Sequence, residues 1–212
     1  STASRAAVPA DCLRTTLCHD LVLPYWHEPA VEPRGDVLVW LHGAGEKGSH
    51  ATERANDAIV AIARRHAPWF DVVCPVCPAG VSGWSVAAVL ALVDHLEMGR
   101  VVLAGTSMGG RGVYDVAYDH ADRFAGLVVI AAFGVPTLMP RLRRTPLWIA
   151  HGANDEVVPV QRARDLAAAH GAAIYRELPA GHACVAQALD DPDLWSWLER
   201  ALSPSPRPSE RG

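Results

Sequence analysis

The sequence predicts an α/β fold: one mostly parallel sheet flanked by helices, with no cap domain. Three observations carry that reading. Short apolar runs, Asp36–Leu41 (DVLVWL) foremost, have the near-continuous hydrophobicity of strands buried on both faces. Segments with apolar residues at helical spacing alternate with these runs across short loops, the pattern of repeated strand–helix–strand units. The run Val101–Ala104 passes through Gly105-Thr-Ser-Met-Gly109 into a helix-compatible stretch, so a serine sits on a sharp strand-to-helix turn.

In chain order, residues 1–10 are expected to form a loose arm. Cys12–Cys18 and Leu21–Trp26 read as a hairpin on the sheet edge, turning at His19-Asp20. The strand Asp36–Leu41 runs into a glycine-rich loop, His42-Gly-Ala-Gly-Glu-Lys-Gly48. Ala51–His66 is predicted helical, with Ala55, Ile59, Ile62 and Ala63 on one stripe. Val72–Cys74 is a strand broken by Pro75 and Pro78, and Ser85–Met98 a helix carrying Val89, Leu92, Val93 and Leu96. The serine turn then leads into a helix over Met108–His120. Strands at Gly126–Ala132 and Pro146–Ala150 are separated only by Phe133 to Thr145, where Pro136 and Pro140 discourage a long helix. A helix Arg162–His170, a strand Ala173–Glu177 and a helix Asp193–Leu202 complete a single domain expected over residues 1–202. Residues 203–212 are rich in Pro and Ser and are expected to be disordered.

Composition narrows the function classes. The 212 residues are half hydrophobic and one-fifth charged, enough for a domain with a substantial core. A net charge of -4 gives no reason to expect nucleic acid or an anionic membrane as partner. No apolar run reaches membrane-spanning length. The opening residues Ser1-Thr-Ala-Ser-Arg5 lack an apolar signal core, so a targeting segment, had there been one, is expected to have been removed upstream. Cytoplasmic residence is the expectation, with secretion as the alternative. Five cysteines, an odd number, argue against a full disulfide framework, and Cys74-Pro-Val-Cys77 lacks the second ligand pair a zinc site needs. Neither a metal nor an organic cofactor is expected.

The chemistry gathers around Ser107. A serine hydroxyl is a weak nucleophile at neutral pH and needs a base, which in turn needs an orienting acid. In folds with a serine on such a turn, the chain order is Ser, then Asp or Glu, then His. Asp155 follows the strand ending at Ala150, and His182 follows the strand ending at Glu177, so both fall on loops at the sheet's C-terminal edge. Asp155 is preferred over its neighbour Glu156, and Asp190 and Asp191 come too late in the order. His151 reads as a structural hydrogen-bonder; His66, His95, His120 and His170 read as surface or packing residues. The negative charge of an acyl-transfer intermediate needs two backbone donors. Met108 N–H is one, and Ala44 N–H, with Gly45 as second choice, is the other. Gly45, Glu46, Trp84 and Phe133 are the expected substrate contacts, around an open cleft rimmed by Glu46-Lys47 and the Phe133–Pro140 loop.

These motifs together, from VVLAGTSMGGRGVYDVAY through HGAGEKG to HGANDEVVP, resemble the α/β-hydrolase superfamily. More narrowly they are similar to its small phospholipase/carboxylesterase and feruloyl-esterase-like branch, which includes proteins labelled predicted peptidases. The likeness runs from about Leu13 to Leu202. It implies hydrolysis of a small-molecule carboxylic ester through an acyl-Ser107, with Asp155 and His182 completing the triad and Ala44 and Met108 as donors. The same triad could instead serve a thioesterase, acyl transferase or cyclase. The chain is expected to act as a monomer or homodimer, and the shortness of the Phe133–Thr145 connection argues against lipase activity.

Overall fold

The computed structural model describes residues 13–18 and 21–203, and for residues 13–22 and 49–57 the backbone only. The expected arm, the His19-Asp20 turn and nearly all of the expected tail lie outside the described residues. An eight-stranded sheet runs in the order β1-β2-β4-β3-β5-β6-β7-β8, with β1 at Leu13–Cys18, β2 at Leu21–Glu28, β3 at Asp36–Leu41 and β4 at Phe70–Pro75. The remaining strands are β5 (Val101–Thr106), β6 (Gly126–Ile130), β7 (Leu147–Gly152) and β8 (Ile174–Leu178). Only β2 runs against its neighbours, pairing antiparallel with β1 and β4.

Every residue of β3, β5, β6 and β7 is buried, because helices cover both faces. Within these apolar runs the two-residue alternation of a strand still sorts side chains. Val37, Val39 and Leu41 join one core with Leu103, Leu127 and Ile149, under α2 (Val86–Leu96), α3 (Met108–His120) and α4 (Val160–His170). Leu38 and Trp40 join the other with Val102 and Trp148, under α1 (Ser49–His66), α5 (Val185–Leu189) and α6 (Pro192–Leu202).

Several boundaries depart from the sequence reading for identifiable reasons. β2 extends to Glu28 and β4 begins at Phe70, because Asp71, a strand-breaking residue by composition, is matched across the pair by His27 Nε2 at 2.8 Å. Between β6 and β7 the chain is not all loop. Pro136–Leu142 forms a 3-10 turn whose Met139 and Leu142 are fully buried against α3 and α4, while no cap is inserted. The helix α5 was not anticipated; it follows His182 almost directly. His170, read as a packing residue, is buried with Nε2 3.1 Å from the Leu142 carbonyl. Cys74, Cys77 and Cys184 are buried free thiols.

β8 is the half-buried edge strand. Its Arg176 lies over the Trp148 ring at 4.9 Å and pairs with Asp193 at 3.2 Å, while Glu177 pairs with Arg164 at 2.7 Å. No described helix is long and apolar enough to cross a membrane.

Candidate active site

The loops leaving β3, β5, β7 and β8 open on one edge of the sheet, where ligands collect in open α/β folds. Ser107 forms the turn from β5 into α3. Its backbone lies at φ 52° and ψ -117°, a conformation that side-chain-bearing residues rarely adopt. The Ser107 N–H donates to the Ile130 carbonyl at 2.9 Å, which anchors the turn to β6. The flanking glycines are demanded by close approach. A Cβ at Gly105 would fall 2.6 Å from the Gly109 carbonyl carbon, and one at Gly109 would fall 1.8 Å from the Leu41 carbonyl oxygen. Gly109 thus lets the first turn of α3 press against the end of β3.

His182 occupies the loop between β8 and α5. Its Nδ1 lies 2.8 Å from Asp155 Oδ2, and its Nε2 lies 3.0 Å from Ser107 Oγ. With the Nδ1 proton donated to the carboxylate, Nε2 offers its lone pair to the hydroxyl. Gly152 allows this meeting, since a Cβ there would stand 2.2 Å from the Gly181 carbonyl and 2.5 Å from that of Ala180. The two loops are stitched by Ala153 N–H to Leu178 O at 2.8 Å and Asn154 N–H to Ala180 O at 2.9 Å.

Asp155 is buried, and Oδ1 accepts from Val157 N–H at 2.9 Å and Val158 N–H at 2.8 Å. Burial by itself would push its carboxyl up. The hydrogen bonds from His182, Val158 and Val157 outweigh that and hold it below the ordinary carboxylate value. His151, fully buried, turns Nε2 to the Val158 carbonyl at 2.8 Å and stands 3.1 Å from Asp155 Oδ2. Two imidazoles therefore border one carboxylate.

A cleft of about 740 Å³ opens over Ser107, lined by Ala44, Trp84, Met108, Phe133 and Val157 among others. On its floor Arg111 and Asp115 pair at 2.8 Å. The Phe133 ring at the mouth lies beneath two guanidinium groups, Arg111 at 5.4 Å and Arg162 at 5.9 Å. Ala44 and Met108 each begin a helical turn, so neither N–H has an acceptor within its own turn.

Two of the expected substrate contacts, Gly45 and Glu46, lie outside the lining of this cleft. Ala44–Glu46 closes into a 3-10 turn, which carries Glu46 back over the loop, where Oε2 accepts the Gly43 N–H at 2.7 Å. Its side chain borders a separate depression beside α1 and α5. Lys47, expected on the rim, donates to the Val81 carbonyl at 2.9 Å. Arg111 and Asp115, by contrast, line the cleft without having been among the expected contacts. Their signal was present: four residues apart on the helix that starts at the serine, they share one face. Nothing in the sequence pointed to Val157 and Val158 as cleft wall.

Fold and site geometry define the structural class: the chain has the α/β-hydrolase fold, with Ser, Asp and His in the order typical of it. No known family profile matches the chain. Over 142 residues it is 25% identical to the bifunctional acetylxylan esterase/xylanase XynS20E of Neocallimastix patriciarum, covering 61% of this chain and 21% of that protein. Among solved structures it resembles a thermostable esterase at 21% identity and TM-score 0.76, over 90% of this chain and 63% of that one. Est1E from Butyrivibrio proteoclasticus matches at 14% identity and TM-score 0.72, over 89% of this chain and 99% of that one. The chain thus spans about one-fifth of the curated relative and under two-thirds of the first esterase.

Proposed function

We propose that the protein is a serine hydrolase of carboxylic esters, acting on small, short-acyl or aryl substrates. The observation that carries this is the unbroken hydrogen-bonded line from Ser107 Oγ through His182 to Asp155 beneath an open cleft. His182 Nε2 takes the serine proton as Oγ attacks the ester carbonyl, and Asp155 steadies the imidazolium that forms. The carbonyl oxygen becomes an oxyanion, received by the N–H groups of Ala44 and Met108 at the starts of their helical turns. Collapse of this intermediate expels the alcohol, protonated by His182, and leaves an acyl-Ser107. Water then attacks the acyl group by the same route and regenerates the serine. Asp155 needs to stay ionised for this, and its lowered pKa keeps it so. The missing cap favours soluble substrates over lipid interfaces, and the esterase relatives support the reaction class.

The decisive experiment combines a fluorophosphonate probe with a series of p-nitrophenyl esters of rising chain length. Labelling should map to Ser107, rates should fall as the acyl chain lengthens, and Ser107→Ala should lose both labelling and turnover. Asp155→Asn should cost on the order of 10³–10⁴ in rate. More than a tenth of the activity surviving in Ser107→Ala would refute the nucleophile. A preference for emulsified long-chain esters would refute the substrate class.

A further inference from the structure

The loop after β3 holds a polar cluster that the reaction above does not use directly. Two peptide units flank Gly43, and three of their four polar groups are tied down. The His42 carbonyl accepts the Trp84 indole N–H at 3.1 Å. Gly43 N–H donates to Glu46 Oε2 at 2.7 Å. The Gly43 carbonyl is 2.8 Å from His42 Nδ1 and also accepts Glu46 N–H at 3.3 Å. The His42 tautomer follows from its other nitrogen. Cys77 N–H donates to Nε2 at 3.0 Å, so the ring proton sits on Nδ1 and points at Gly43 O.

In a trans peptide the carbonyl and the N–H of the same unit point in opposite directions. Fixing Gly43 O against the imidazole and the Glu46 amide therefore aims the Ala44 N–H the other way, and Ala44 lines the cleft beside Ser107. Glu46 supports this from both ends, since its backbone holds the Gly43 carbonyl and its carboxylate holds the preceding N–H. We propose that Glu46 is a positioning residue: its clamp on Gly43 orients the Ala44 N–H as an oxyanion donor. The sequence suggested a substrate contact at Glu46; the structure turns its carboxylate inward onto the loop that has to be rigid. Burial raises the Glu46 carboxyl above its ordinary value, in keeping with a group spent inside the loop.

This inference rests on the serine-esterase reading, and its test separates the two. What matters is reach to the Gly43 N–H, not charge. Glu46→Gln keeps an acceptor oxygen at the same distance, whereas Glu46→Asp keeps the charge but is one methylene too short. Each variant is normalised to its fluorophosphonate-titratable serine, which removes misfolded protein from the comparison. With p-nitrophenyl acetate, Glu46→Gln should retain kcat within about threefold of the parent. Glu46→Asp and Glu46→Ala should lose roughly 10- to 100-fold in kcat with KM little changed, a part of the 10²–10³ that a whole oxyanion donor supplies. A second readout is the preference for an oxygen ester over its thionoester, because a thiocarbonyl sulfur accepts hydrogen bonds poorly. That preference should fall about tenfold in the Asp and Ala variants, which a merely structural loss would not cause. The reverse ranking of Gln and Asp overturns the proposal, as does unaltered kcat in Glu46→Asp or lost activity with an unchanged oxygen-to-sulfur preference. Absence of ester turnover and of probe labelling in the parent protein would defeat the esterase reading itself, and this inference with it.

Discussion

Gly152→Ala is the sharpest test of how the site is assembled. The residue is not one of the three hydrogen-bonded side chains, yet it ends the strand that leads to Asp155 and packs closely on the loop that bears His182. An added Cβ would meet the Gly181 carbonyl at 2.2 Å, and contacts of that atom below 3.0 Å essentially do not occur. The obstacle is backbone, so no side chain can swing aside, and the 180–182 segment must retreat by about 0.8 Å. That shift carries His182 with it, acting on the 3.0 Å contact to Ser107 Oγ and the 2.8 Å contact to Asp155. Displacement of a catalytic group by about 1 Å costs on the order of 10² in rate. A fall in kcat of roughly that size is expected, measured on p-nitrophenyl acetate and normalised to titratable serine. Thermal unfolding should still show a cooperative transition. Gly80→Ala is the control, since a Cβ there meets nothing within 4 Å. If Gly152→Ala kept kcat within threefold of the parent, the close approach would not be what seats His182.

Acid should weaken the fold before it neutralises the carboxylates. Burial lowers the pKa of both His42 and His170 from 6.5, so the folded chain refuses protons that the unfolded chain accepts. Their contribution is present in full above pH 6.5 and shrinks as pH falls below it. Urea titrations at pH 7.5 and about 5 should show the lower midpoint at the acidic value; equal or higher stability there would contradict the assigned neutral states. Arg162→Gln should lower kcat/KM for 4-acetoxybenzoate relative to 4-acetoxybenzamide by about 2- to 5-fold, the scale of an exposed charge pair, with the difference fading in high salt. An unchanged ratio would mean the guanidinium over Phe133 does not meet the substrate.

Strand positions were legible because burial on both faces leaves an uninterrupted apolar signature, as in Asp36–Leu41, whose bounds the structure reproduces. Ser107, Asp155 and His182 were legible because strand-end loops in a known order leave few choices, and the structure brings the three side chains into hydrogen-bonding contact. Phe133 and Trp84 line the cleft over Ser107. Side-chain direction within a loop was not legible. Glu46 follows two glycines and reads as an open rim, but a single 3-10 turn reverses it. The Pro136–Leu142 turn was hidden for a related reason: prolines argue against a long helix, yet Pro136 begins a short turn comfortably. The Arg111–Asp115 floor was missed because a surface ion pair on a helix looks the same whether it faces solvent or a cleft.

The charged edge strand β8 bears on how copies of this chain can meet. A sheet edge offers unpaired backbone groups to any passing strand, and charges along it oppose such pairing. On β8, Arg176 and Glu177 are each committed to acidic or basic partners outside the strand. The bonds from Arg164 and then Tyr175 pull the Glu177 carboxyl down to about 2, so its charge survives well into acid. A strand added here would have to settle beside these charges and their partners. Continuous sheet growth through β8 is therefore disfavoured for as long as these charges persist.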